Sequence, residues 1–219
     1  MKKIVISSLV AISMMGTAFA DVSAQSGLYV NGQAGYSFAD SPDYTSTLAS
    51  NYGNYSYSQS DNNYVLGATV GYDYALTQNW MTGLELGYLY MGETTYNYTI
   101  PHVVNVSGSI SNWGIQLMAT GTYVMSSGWN FFGKVGGVYE STDVSGSASG
   151  SLSSGSTDQT GVLPALAIGM GYLFTQNLNL SLQYEHTFGS NWNDNNVSSD
   201  SSPMTQNILT LGLTYKFPL

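Results

Sequence analysis

Eight times between Gly27 and Leu219 the chain writes a stretch of roughly ten residues in which every second side chain is apolar or aromatic, a period of two that confines it to strands. The clearest copy is Asn207 to Phe217. Leu209, Leu211, Leu213, Tyr215 and Phe217 share one face there, and Ile208, Thr210, Gly212, Thr214 and Lys216 share the other. Alternation alone does not name the solvent, because a soluble sandwich also carries amphipathic strands. The segments between the strands are more selective.

The alternation predicts strands over 27–38, 63–76, 80–91, 110–125, 129–140, 161–174, 178–188 and 205–217. Three of the connections are tight: Thr77-Gln78-Asn79, Ser126-Ser127-Gly128 and Thr175-Gln176-Asn177. The other four, 39–62, 92–109, 141–160 and 189–204, are long and rich in Ser, Asn, Gly and Tyr. Long and short connections alternate strictly, as an up-and-down barrel with distinct ends requires and a Greek-key sandwich does not. The expected fold is therefore an all-β, eight-stranded, antiparallel transmembrane barrel. Gly71 to Trp80 also resembles Gly171 to Leu178, which reads as a duplicated hairpin unit.

The first twenty residues supply the compartment. Lys2 and Lys3, the apolar run Ile4 to Met15 and the small-residue site Ala18-Phe19-Ala20 have the form of a secretory signal peptide, with cleavage expected after Ala20 and a barrel domain over 21–219. Losing two of four basic residues takes the formal charge from -9 to -11. There is no arginine, so the cationic footprint that nucleic acid requires is missing, and no nucleic-acid partner is expected. There is also no cysteine, so the fold is stable without disulfides. Charged residues are 8% of the chain against 13% aromatic, a balance that suits a surface facing hydrocarbon.

Aromatic residues fall at the two ends of the apolar faces. Trp80, Trp129, Tyr72, Tyr74, Tyr172, Phe174, Tyr215 and Phe217 lie near the tight turns, and Tyr36, Phe38, Tyr88, Tyr90, Trp113, Tyr139, Tyr184 and Phe188 near the long connections. Two such girdles around a band of Leu, Val, Ile, Ala and Gly mark the interfaces of a bilayer. With its leader, short inner turns, long outer loops and repeated Gly-Tyr strand motifs, the chain resembles the OmpA/OmpX-type eight-stranded outer-membrane barrels, also called the opacity-like porin group. The resemblance covers nearly all of residues 21–219. It implies a Gram-negative outer-membrane location, turns and termini in the periplasm, contact with outer-membrane lipids and lipopolysaccharide, and insertion by the barrel-assembly machinery. In such proteins the last strand ends on an aromatic residue; here Phe217 is followed by Pro218-Leu219.

Parity turns Glu85, Lys134 and Glu185 inward at similar heights, and a barrel this narrow brings them together as a Glu-Lys-Glu lumen cluster. Asp73 and Glu140 also point inward, nearer the inner and outer mouths, where solvation by water is expected. Catalysis and metal binding are not indicated, and no cofactor is expected. His186 faces lipid whereas Glu185 faces inward, and the position two residues beyond the histidine, where lipid-A deacylases are understood to carry a serine, is Phe188. His102 lies in the second long loop beside Pro101, and loop acids such as Asp194 lack calcium-loop spacing. The expected function is a structural or surface-interaction role for a monomer with a largely plugged lumen, any extracellular ligand meeting loops 39–62, 92–109, 141–160 and 189–204. Two alternatives are a narrow, low-conductance ion channel gated by the cluster and a lipid-A-modifying enzyme.

Overall fold

In lipid, a strand is tolerated only where both of its edges are paired, and a closed ladder achieves this. The computed structural model describes residues 23–39, 56–62, 64–100, 104–148, 155–189 and 205–217. Its strands are β1 (Gly27–Ala39), β2 (Ser56–Asn62), β3 (Tyr64–Ala75), β4 (Trp80–Ile100), β5 (Val104–Val124), β6 (Trp129–Ala148), β7 (Gly155–Leu173), β8 (Leu178–Thr187) and β9 (Gln206–Lys216). They run in the order β2-β4-β3-β1-β9-β8-β7-β6-β5, and a further β4–β5 pairing closes the ring. All pairings are antiparallel. β2 continues the wall that β3 begins, since Asn62 pairs with Glu93 and Leu66 with Tyr90 on the same strand β4. The closed unit is thus an eight-stranded antiparallel barrel with one extended stave in two pieces.

The three tight connections form as expected, and the Thr-Gln-Asn repeat uses one set of bonds twice. Thr77 Oγ1 accepts from the backbone N–H of Asn79 and Trp80 at 3.2 and 3.0 Å, and Thr175 Oγ1 accepts from Asn177 and Leu178 at 3.2 and 3.1 Å. Such hydroxyl-to-backbone bonds preform the turn. Asn79 Nδ2 then donates to the Val124 carbonyl at 2.8 Å, and Asn177 Nδ2 to that of Lys216 at 2.7 Å. Each asparagine thereby fastens its turn to the end of the next strand.

Two of the expected long loops are largely strand. β4 and β5 remain paired to Ile100 and Val104, and β6 and β7 to Gly146 and Gly155, so most of 92–109 and 141–160 is an extension of the ladder. Ser56–Asn62, expected within loop 39–62, pairs with β4. Polar composition suggested loops, but Thr, Tyr and Val in those runs favour strand, and a ladder leaving the membrane has no need of an apolar face. The register slips between the Tyr90–Trp113 and Glu93–Ser111 pairs, putting an extra residue on β4. Gly92 sits there with φ 76°, a left-handed conformation that suits glycine at a bulge. The leader, its expected cleavage after Ala20, His102, Pro218-Leu219 and most of 189–204 lie outside the described residues.

Burial is the reverse of a soluble protein. Gln33, Thr69, Glu85, Gln116, Gln183 and Thr210 are buried in the lumen, while outward residues such as Leu84, Leu117, Val162 and Ile168 are exposed. Outward aromatics pair in two belts. Trp80–Tyr123, Trp129–Tyr172 and Tyr215–Phe217 lie at the turn end, and Tyr36–Phe38, Tyr64–Tyr90 and Tyr88–Trp113 at the opposite end, with ring centroids 5.0 to 6.1 Å apart. Ile168, 67% exposed between these belts, provides the test. Replacing it with Arg is expected to cost roughly 2–4 kcal/mol of stability in lipid vesicles, measured by urea unfolding. An unchanged midpoint would place that face in water.

Candidate functional site

The inward residues of adjacent strands set the chemistry of the lumen. Lys134 on β6 reaches across to Glu85 on β4, its Nζ donating to Oε1 at 2.7 Å and Oε2 at 2.9 Å. The Tyr29 hydroxyl donates to Glu85 Oε2 at 2.9 Å. Tyr29 can lie flat because it packs over Gly71 of β3, where any Cβ would collide with the phenol ring. Lys134 Nζ also lies 5.3 Å from the Phe132 ring centroid, close enough for a cation–π contact. The Glu85 carboxylate thus accepts three bonds from two different strands, the coordination that makes a buried ion pair tolerable.

Glu185 is buried in the same interior but takes a different partner. Its Oε2 accepts from Gln183 Nε2 at 3.0 Å, and its Oε1 has no hydrogen bond within the protein among the described residues. Lys134 therefore bonds one of the two expected carboxylates. Tyr29 and Gln183 share the inward parity of these residues, but neither carries a charge, so nothing in the pattern of charges singles them out.

The two acids nearer the mouths, Asp73 and Glu140, differ from expectation. Asp73 is ion-paired with Lys216 at 2.7 Å, which makes Lys216 a second lumenal cation, at the turn-end mouth. Lys216 Nζ also donates to the Gln25 carbonyl at 3.0 Å, so the segment before β1 is drawn under the mouth. The Lys216 parity was legible in Asn207–Phe217; its height beside Asp73 follows only from the register. Glu140 is 1% exposed, and its Oε1 accepts from Gln206 Nε2 at 2.6 Å. The neighbouring strands enclose it, so it is not solvated by water at the rim.

His186 stays on the outer face. Its Nδ1 lies 2.7 Å from Asn207 Oδ1, which also accepts from the Tyr184 hydroxyl at 2.6 Å, and its ring packs edge-on against Phe188 at 4.5 Å. Glu185 lies on the opposite face of the strand and does not orient the imidazole. A hydrolytic site would need a nucleophile within reach of this ring. His186→Ala is expected to leave the lipid A of expressing cells unchanged in its mass spectrum; an acyl-chain difference that depends on His186 would identify an enzyme.

For the ion pair, Lys134→Met strands the Glu85 carboxylate and is expected to destabilise the barrel by about 3–5 kcal/mol in urea unfolding. Adding Glu85→Gln to the same chain should restore much of that loss. A double variant whose loss equals the sum of the Lys134→Met and Glu85→Gln losses measured singly would mean that the two groups are not coupled.

A family model described as OmpA-like transmembrane domain matches residues 23–218. Outer membrane protein A of Yersinia pseudotuberculosis is 27% identical over 154 residues, covering 69% of this chain and 39% of that protein. Outer membrane protein A of Klebsiella aerogenes is 26% identical over 221 residues, covering 99% of this chain and 56% of that protein. The chain spans less than two thirds of either relative's length. Among solved structures, the attachment invasion locus protein Ail of Yersinia pestis has a TM-score of 0.49 at 15% identity, over 88% of this chain and 97% of that one. With a closed eight-stranded ring, an apolar exterior between aromatic belts and a family match over almost its whole length, this chain belongs to the OmpA-like transmembrane domain family of Gram-negative outer-membrane barrels.

Proposed function

We propose that this protein is a monomeric outer-membrane barrel with a structural or surface-interaction role and a plugged lumen, which presents a projecting sheet to the extracellular side. On this reading residues 1–20 are a leader removed after Ala20, the barrel-assembly machinery inserts residues 21–219, and lipopolysaccharide surrounds the outer belt. The turn end then faces the periplasm. No catalysis is part of the proposal.

The observation that carries it is the shape of the ladder beyond the outer aromatic belt. β8 and β9 end near the rim, at Thr187 and Gln206, and β1 is described as far as Ala39, whereas β4, β5, β6 and β7 continue. With β2 they make a five-stranded sheet in the order β2-β4-β5-β6-β7. From Glu93 to Ile100 the strand rise alone carries β4 roughly 25 Å further. Among the described residues, β2 pairs only with β4, and the Gly155–Leu163 part of β7 only with β6. Two edges whose backbone groups have no partner among the described residues therefore lie beyond the outer belt, a surface to which an extended segment of another protein can add as a strand.

Asp143 and Asp158 are register partners, so removing residues 144–157 and joining the two with Asn-Gly shortens the β6–β7 hairpin at a rung. Displayed on a nonadherent Gram-negative strain, the intact protein is expected to raise adhesion to epithelial monolayers. The shortened form should lose that gain while keeping its heat-dependent shift on detergent gels. Equal adhesion by folded protein of both forms, or none by either, would leave the hairpin as a shield and remove the recognition role.

A further inference from the structure

The lumen is layered, and the layers differ in what they let through. Turn residues Gln176 and Asn177 border a cavity of about 90 Å³ that extends past Lys216 and Thr122 to Lys134 and Glu85. It opens at the mouth that the proposed topology puts in the periplasm. Further along the axis the inward residues become apolar. Val65 of β3, Leu89 and Met91 of β4 and Ile208 of β9 form one buried cluster, and Met118 of β5, Val138 of β6 and Ala165 of β7 another. Met118, the register partner of Glu85, lies lowest, and the others draw on five of the eight staves toward the outer end of the barrel. Above them Glu140 and Gln206 are bonded to each other.

Buried polar atoms without a protein partner are distributed unevenly across these layers. Among the described residues, seven such atoms have none: Asn112 Oδ1 of β5, at the outer end, and Gln33 Nε2, Thr69 Oγ1, both amide atoms of Gln116, Thr120 Oγ1 and Glu185 Oε1. The last six lie on the turn-end side of the rim, and Thr69, Gln33 and Thr120 lie well down toward the cavity. Glu185 and Ile208 are register partners, as are Gln116 and Val138, so this polar tier abuts the apolar clusters directly. Groups of this kind are satisfied by water, and the cavity below is its route of entry.

We infer that the lumen is a periplasmic vestibule that ends blind at an apolar seal formed chiefly by Val65, Leu89, Val138 and Ile208, and that this seal, rather than the Lys134–Glu85 ion pair, blocks ion passage. The inference rests on the plugged-lumen reading and assigns the plug to named residues. Water and ions enter from the periplasm as far as the Gln116 and Glu185 tier. They stop there because a constriction lined by aliphatic side chains offers no group to replace a hydration shell. The ion pair, reached by the same water, acts as a cross-brace between β4 and β6.

The test uses the lack of native cysteine. Thr122→Cys, Thr210→Cys and Ser37→Cys place single thiols in the vestibule, beneath the seal and above it. The purified, refolded barrel is oriented in planar bilayers and exposed to a charged methanethiosulfonate reagent from one side at a time. Thr122→Cys and Thr210→Cys are expected to react from the turn side alone, and Ser37→Cys not from that side. Reaction of Thr210→Cys from the outer side, or from neither, would overturn the vestibule. Conductance is measured on the same membranes: Leu89→Ser with Ile208→Ser should open steady currents absent from the parent, while Lys134→Met with Glu85→Gln stays closed. Currents opened by the ion-pair variant but not by the seal variant would overturn the seal while leaving the plugged reading intact. Large steady currents in the parent protein would sink the plugged reading itself. Heat-dependent gel migration of each variant confirms that a folded barrel is being measured.

Discussion

A polypeptide crossing hydrocarbon must satisfy every backbone N–H and C=O within itself, and the rest of this structure follows from how that is done. Eight staves close with no free edge at membrane depth, through β1–β9 on one side of the chain and β4–β5 on another. A ring this small leaves an interior only wide enough for side chains. Alternation then sends one set of side chains into lipid and the other into a confined polar space where each must find a partner. Gly71 and the Tyr29 ring show how tight that space is: one side chain is removed so that another can pass over β3 to Glu85 on β4.

The interior distributes its charges in pairs at different depths. Asp73 and Lys216 join β3 to β9 at the turn-end mouth, and Glu85 and Lys134 join β4 to β6 deeper in. In each case one stave, β1 or β5, lies between the two, so the ion pairs tie together strands that backbone bonds do not join directly. Removing one member of such a pair is costly because the other stays buried. Glu185 and Glu140 are handled differently, by the amides of Gln183 and Gln206. An amide can donate to a carboxylate without adding another charge to a narrow lumen.

Most of the barrel was legible in the sequence because its two governing periods are local. Alternation fixes which residues face lipid, and the Thr-Gln-Asn turns announce themselves by composition. The inward parity of Glu85, Lys134 and Glu185 was equally plain. The choice of Glu85 over Glu185 as the partner of Lys134 was not, because it depends on the stagger between strands and on Tyr29 and Gln183 competing for the same acceptors. The extended hairpins were missed for a different reason. Beyond the bilayer the apolar face that marks a strand is no longer required, so Thr94 to Ile100 and Ser141 to Ala148 carry strand propensity without the alternation used to recognise strands.

The continuous ladders above the membrane also make chain length a ruler. In a slack loop, added residues enlarge a coil and leave the tip where it was. In a zipped hairpin such as β4–β5, each added rung lifts the tip by about 3.4 Å. A single rung also turns the following side chains to the opposite face, so changes that preserve the presented surface come two rungs at a time. The register shift at Gly92 already separates the rungs beyond Glu93 from those below Tyr90, so added rungs lie outside the transmembrane ladder. The height of the sheet above the outer aromatic belt is then adjustable in discrete increments by short paired insertions, independently of the part of the protein that holds it in the membrane.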